Sequence, residues 1–276
     1  MSSVRSAQKG RSWTTHSLPE ALGLRSSGEL ISLVGGGGKS ALLFGLARTA
    51  SGRIILTTTT RIFAAQTSRA QQSCAYGSPE CEAALRAGVD GLLVIGEIEG
   101  DKAKGVEVEV PGRLLALSGV DWVAVEADGS RMRPAKAPAS HEPVMPQETT
   151  LLVALAGIDA LEGPIEETCH RPERVAELIG RPVSASMDPE SLARLLSHER
   201  GGLKDLPKDA RAAIFVNKVE SESQWASARA LAAEALRSPH VDRVVLGAVE
   251  WAGAGNEPRK PGAGEVPPYE VHGPER

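Results

Sequence analysis

Four consecutive glycines, Gly35–Gly38, stand between an apolar run and Lys39-Ser40 in the stretch ISLVGGGGKSALL, residues 31–43. Glycine loses more conformational freedom on folding than any other residue, so a run of four needs backbone angles or a closeness of approach that a Cβ forbids. The preceding apolar run predicts a strand ending at Val34, and KSALLFGLARTA, residues 39–50, predicts a helix. A strand, a bare loop and a helix N-terminus in that order form an arrangement that grips phosphate through backbone N–H groups and the positive end of the helix dipole. Lys39 is then placed to neutralise β- and γ-phosphates and the Ser40 hydroxyl to hold Mg²⁺. Gly35, Gly36, Gly37, Gly38, Lys39, Ser40 and Ala41 make up the expected nucleotide-binding set, with ATP or GTP and Mg²⁺ as the ligands.

The spacing departs from G-x-x-x-x-G-K-[ST], because Leu33 stands five residues before Gly38. A shorter loop, G-x-x-G-K-S from Gly35, fits and resembles the form used by Mur-type ligases.

The rest of the chain supplies a sheet for this loop. Short apolar runs at 29–34, 53–58, 91–96, 122–127, 151–157, 212–218 and 243–249 alternate with helical patterns at 39–50, 171–180, 188–199 and 223–238. Nearly continuous apolar strands separated by helices predict an α/β fold, a mostly parallel sheet flanked by helices and like that of P-loop NTPases. Two of the helices fall in a helical excursion around 160–205. Asp188 before Pro189 marks a helix start, as N-cap and first helical residue. Residues 1–16 read as a flexible start and 17–251 as a single nucleotide-binding domain. Residues 252–276 read as a disordered tail rich in Gly and Pro.

Composition removes other functions. A net charge of −4 gives no broad basic field, and 3% aromatic residues give no stacking platform, so nucleic acid is not an expected partner. Three cysteines without a C-x-x-C pair argue against a disulfide or four-thiolate zinc scaffold and for a cytoplasmic setting. No apolar run has the length of a membrane span or a signal peptide.

A bound nucleotide also needs an acid for the metal. DWVAVEADG, residues 121–129, places Glu126 and Asp128 at a strand end, two residues apart and so on one side of an extended segment. Lys39, Glu126 and Asp128 are the catalytic candidates, and Ser40, Glu126 and Asp128 the metal candidates. A proline-stiffened loop follows, from which Lys136 and His141 are singled out to face the ligand. Thr58 and Thr59, in LTTTTRIF, end the second strand beside the phosphate loop. Asn217 and Lys218, in FVNKVE, come close to N-K-x-D and would flank a base; Glu220 replaces the aspartate that reads guanine.

Taken together, ISLVGGGGKSALL, LTTTTRIF, VAVEADGSRMRPAKAPASHEPVMP, LAGIDALEGP with CHRPERV, and FVNKVE resemble the YqeC family of selenium-dependent hydroxylase accessory proteins, in order from about residue 28 to 250. Ser40 stands where threonine is common in that family, and Glu220 where aspartate is. The resemblance implies a P-loop nucleotide-binding protein that serves maturation of a molybdenum hydroxylase, with that hydroxylase or its maturation proteins as partners. It also draws attention to His170 and Arg171. Three functions fit: a Mg²⁺-dependent nucleoside triphosphatase, a ligase or phosphotransferase with a Mur-like loop, and a scaffold that senses nucleotide without hydrolysing it.

Overall fold

The computed structural model describes residues 11–249 and 269–273. Its main feature is a ten-stranded sheet. In chain order the strands are β1 (Arg11–Thr15), β2 (Glu29–Gly35), β3 (Ile54–Thr58), β4 (Ser73–Ala75), β5 (Leu92–Ile95), β6 (Trp122–Glu126), β7 (Leu151–Gly157), β8 (Arg211–Asn217), β9 (Arg243–Leu246) and β10 (Tyr269–Gly273). Across the sheet they run β1-β10-β9-β8-β7-β2-β6-β3-β5-β4. All neighbours from β9 to β4 are parallel, and β10 and β1 extend the edge antiparallel. This is the expected α/β architecture. Each predicted strand appears within a few residues of its apolar run.

Helices cover both faces, which explains why the strands are apolar throughout. Ile31 and Leu33 of β2 point to the face covered by α1 (Leu18–Leu22) and α2 (Lys39–Thr49). Leu30 and Val34 point to the opposite face, against α3 (Pro79–Arg86), α4 (Val110–Leu115), α6 (Pro172–Ile179), α7 (Pro189–Ser197) and α8 (Glu222–Ala235). The expected excursion between β7 and β8 carries the short helix α5 (Ile165–Thr168), α6 and α7. Val175, Ile179, Leu192 and Leu195 bury themselves in the same cluster as the sheet. Asp188 caps α7 as its sequence predicts, accepting from the Ser191 N–H at 2.8 Å.

The expected loose ends need correction where they are described. Residues 11–15 form β1, and residues 269–273, inside the Gly/Pro-rich tail, form β10, which is inserted between β1 and β9 with Val271 fully buried. Ten ladder residues closing an edge satisfy backbone groups that a composition argument alone leaves to water. The rest of the expected flexible start and tail lies outside the described residues. Among the described residues no helix is long and apolar enough to cross a membrane.

Candidate functional site

The carboxyl ends of β2, β6, β3, β7 and β8 meet at the glycine loop, because parallel pairing sets Leu33 opposite Glu126, Glu126 opposite Thr58, Leu155 opposite Gly35 and Gly157 opposite Asn217. The loop is tightly held. Gly36 N–H donates to the Leu155 carbonyl at 2.9 Å and Gly37 N–H to that of Arg133 at 3.1 Å. Gly35 N–H reaches both carboxylate oxygens of Asp128, at 3.1 and 3.0 Å. Asn217 clamps the far side, its Nδ2 donating to the Gly37 carbonyl at 2.8 Å while its Oδ1 accepts from Val249 N–H. Gly37 has φ +71°, and a Cβ there would lie 1.9 Å from the Gly157 nitrogen.

These contacts correct one expectation. The N–H groups of Gly35, Gly36 and Gly37 are committed to protein acceptors and do not form a free cradle. The open donors lie one step further on. Helix α2 starts at Lys39 behind Gly38, which supplies no side-chain cap, so the N–H groups of the first turn have neither an intrahelical nor a capping side-chain partner at the positive end of an eleven-residue helix.

Lys39 is buried, with Nζ 2.5 Å from the Gly35 carbonyl and 3.1 Å from Asp128. Asp128 also meets Lys136 at 3.0 Å, and Lys136 meets Glu142 at 2.8 Å and the Gly129 carbonyl at 2.7 Å. Arg171 closes the chain on Glu142 at 2.7 Å. An unbroken line of alternating charge therefore runs Lys39, Asp128, Lys136, Glu142, Arg171. Asp128 is a latch between two ammonium groups and a loop N–H. Its neighbour two residues back is the opposite case. Glu126 is buried and, among the described residues, its carboxylate accepts only from Ser40 Oγ, at 2.8 Å, with Gln66 reaching the same hydroxyl at 3.2 Å. Burial pushes the Glu126 carboxyl above its ordinary range, against the pull of Lys39 and Ser40. A desolvated carboxylate with one hydroxyl partner fits a divalent cation. Among the described residues no three His, Cys, Asp or Glu side chains gather as a metal cage. Mg²⁺ held largely by phosphates and water needs no more than one or two protein oxygens.

The remaining candidates separate. The Thr58 hydroxyl donates to the Glu126 carbonyl at 3.0 Å and that of Thr59 to the Val144 carbonyl at 2.5 Å, so the first ties β3 to β6 and the second ties the turn after β3 to the proline-rich loop. Lys218 is exposed and pairs with Asp159 at 2.6 Å. His141 is exposed, and Glu142, beside it, points inward instead. Glu142, Arg171 and Asp159 complete the site, and none was a leading candidate by motif. Cys169 is buried and its thiol pushed up to about 11, which suits packing.

Burial alone would raise Glu142, but the hydrogen bonds from Lys136, the Ala139 N–H and Arg171 outweigh it and bring the carboxyl from 4.5 down to about 2. A carboxyl whose folded pKa lies below its unfolded value stabilises the fold above that unfolded value, and the contribution is lost as pH falls from 4.5 to about 2. Glu142→Gln is expected to flatten the loss of stability with acid across this window, followed by denaturant unfolding; an unaltered slope would place the acid sensitivity elsewhere.

Fold and site together define an α/β protein whose parallel sheet presents a glycine-rich strand-to-helix loop, backed by a buried Lys-Asp-Lys line. The model of the YqeC protein family matches residues 31–173, which hold all of these groups except Asn217 and Lys218. The chain is also 30% identical over 233 residues to a protein of Escherichia coli (strain K12) named "Uncharacterized protein YqeC", covering 83% of this chain and 91% of that one. The chain belongs to the YqeC family.

Proposed function

We propose that the protein binds a nucleoside triphosphate with Mg²⁺ at the start of α2 and hydrolyses it, as an accessory in maturation of a selenium-dependent molybdenum hydroxylase. One observation carries the nucleotide reading: beneath an uncapped helix N-terminus, Ser40 and the buried Glu126 bring two oxygens together at 2.8 Å beside a buried lysine. The topology supports the same place. Strands later in the chain lie on both sides of β2, and in open α/β sheets ligands bind outside the strand carboxyl ends where the order reverses. The maturation role rests on what the family resemblance implies.

The phosphate tail would take the N–H groups of Gly38, Lys39, Ser40 and Ala41. Lys39 would leave Asp128 for the phosphates, and Asp128 would stay neutralised by Lys136, so the exchange strands no buried charge. Ser40 and Glu126 would hold Mg²⁺, which supplies charge neutralisation at the transferring phosphoryl group. Asn217 is spent on the loop, which leaves base choice to other groups.

The test is calorimetric titration with ATP and GTP, with and without Mg²⁺, followed by a phosphate-release assay. Lys39→Ala is expected to weaken binding at least about tenfold, since a charge-assisted contact contributes about 1.5–3 kcal/mol. Equal affinity in the folded variant, or no binding to the wild type, would overturn the proposal. Binding without phosphate release would favour the nucleotide-sensing scaffold.

A further inference from the structure

We propose that Arg131, His170 and Arg171 form a second anion subsite, next to the phosphate loop, that takes a small carboxylate or phosphate ligand. Two loops build it. Residues 135–136 pair in parallel with 169–170, which sets Lys136 opposite His170, and Arg171 follows with its Nη1 on Glu142. Lys136 and Glu142 form the floor, both buried and already partnered. The upper groups are not. Arg131 is exposed, and among the described residues neither Arg131 nor the His170 ring makes a hydrogen bond. Arg171 uses only Nη1, on Glu142 and the Ala137 carbonyl, which leaves most of its five donors to an outside acceptor.

Charge points the same way. Arg131, Lys136 and Arg171 all lie close enough to His170 to disfavour its protonated form, and Glu142 alone opposes them. Burial does most to hold the imidazole down, at about 4, and these charges add to it. Cations gathered against one carboxylate repel one another, and an oxyanion between them relieves that repulsion. The backbone is also held in an uncommon form. Arg131, Met132 and Arg171 all have positive φ, at 49°, 63° and 62°, and non-glycine residues kept there cluster at ligand sites. Through Lys136 and Asp128 the subsite is joined to Lys39, so it deepens the nucleotide reading by placing a second ligand beside the phosphate tail.

The experiment follows the His170 ring by NMR, assigned with His170→Gln, while inorganic phosphate or acetate is added to the full chain. Phosphate, acetate or both are expected to raise the His170 pKa by about one unit or more, as a nearby anion favours imidazolium. The response should persist in Lys39→Ala, and its apparent affinity should fall at least about threefold in Arg131→Gln, an exposed change that spares the fold. No response to either anion would overturn the subsite. So would a response abolished by Lys39→Ala, which would place the ion on the phosphate loop. Should Lys39→Ala not fold, an unchanged affinity in Arg131→Gln overturns it equally. If nucleotides fail to bind while phosphate still moves His170, the reading of α2 falls and this subsite stands.

Discussion

Asp128→Ala is expected to lower stability by about 3–5 kcal/mol, the cost of breaking a buried ion pair on one side. Asp128 is 2% exposed at its side chain, and it touches Lys39 at 3.1 Å, Lys136 at 3.0 Å and the Gly35 N–H. Removing it leaves Lys39 with a single carbonyl as hydrogen-bond partner and Glu126 as its remaining nearby opposite charge, and a loop N–H without an acceptor, while Lys136 keeps Glu142. Asp128→Asn restores an acceptor without the charge, so it should recover only the smaller, hydrogen-bonding part of the loss. The measurement is denaturant unfolding in the presence of a chelator. The metal-ligand alternative predicts the opposite sign. In metal-free protein, deleting one of two neighbouring carboxylates relieves repulsion on Glu126, which the Asp128 charge helps to raise. An unchanged or higher midpoint for Asp128→Ala would therefore remove the latch.

Much of the fold was legible because burial on both faces writes each parallel strand as an unbroken apolar run. The seven runs before residue 250 became β2, β3, β5, β6, β7, β8 and β9. The strand β10 is not legible because its five residues, Tyr269–Gly273, are diluted by a Gly/Pro-rich neighbourhood, and an antiparallel strand near the sheet edge carries no such run. Within the site, Lys39, Ser40 and Glu126 were legible from strand and helix ends, where spacing dictates direction. Asp128 was legible as a site residue but its two ion pairs were not, since a turn, a metal ligand and an ionic latch ask for the same side chain at the same place. Its partner Lys136 was singled out without its partner. That Glu142 and not His141 turns inward is not legible, because a proline-rich loop has no period to say which of two neighbours does so. Nothing in the glycine run announced that its N–H groups go to Leu155 and Arg133, because a carbonyl acceptor has no residue type.

The committed N–H groups make the glycines a test of what the loop is for. Gly37→Ala would put a methyl 1.9 Å from the Gly157 nitrogen and 2.6 Å from the Ala156 carbonyl carbon, at φ +71°. Gly88 has nearly the same φ, +74°, with nothing within 4 Å of its would-be Cβ, so Gly88→Ala reports the left-handed backbone cost alone. That cost is about 1–2 kcal/mol. Overpacking adds about 1–3 kcal/mol, so Gly37→Ala is expected to lose clearly more than Gly88→Ala, without any nucleotide present. The excess arises because β7 cannot retreat: Gly157 N–H is bonded to the Pro134 carbonyl and the Leu155 carbonyl to Gly36. Equal losses in the two variants would show that β7 yields at little cost. Gly37 would then be kept for the approach of a ligand, and the substitution would act on triphosphate affinity and leave stability at the level of the Gly88 control.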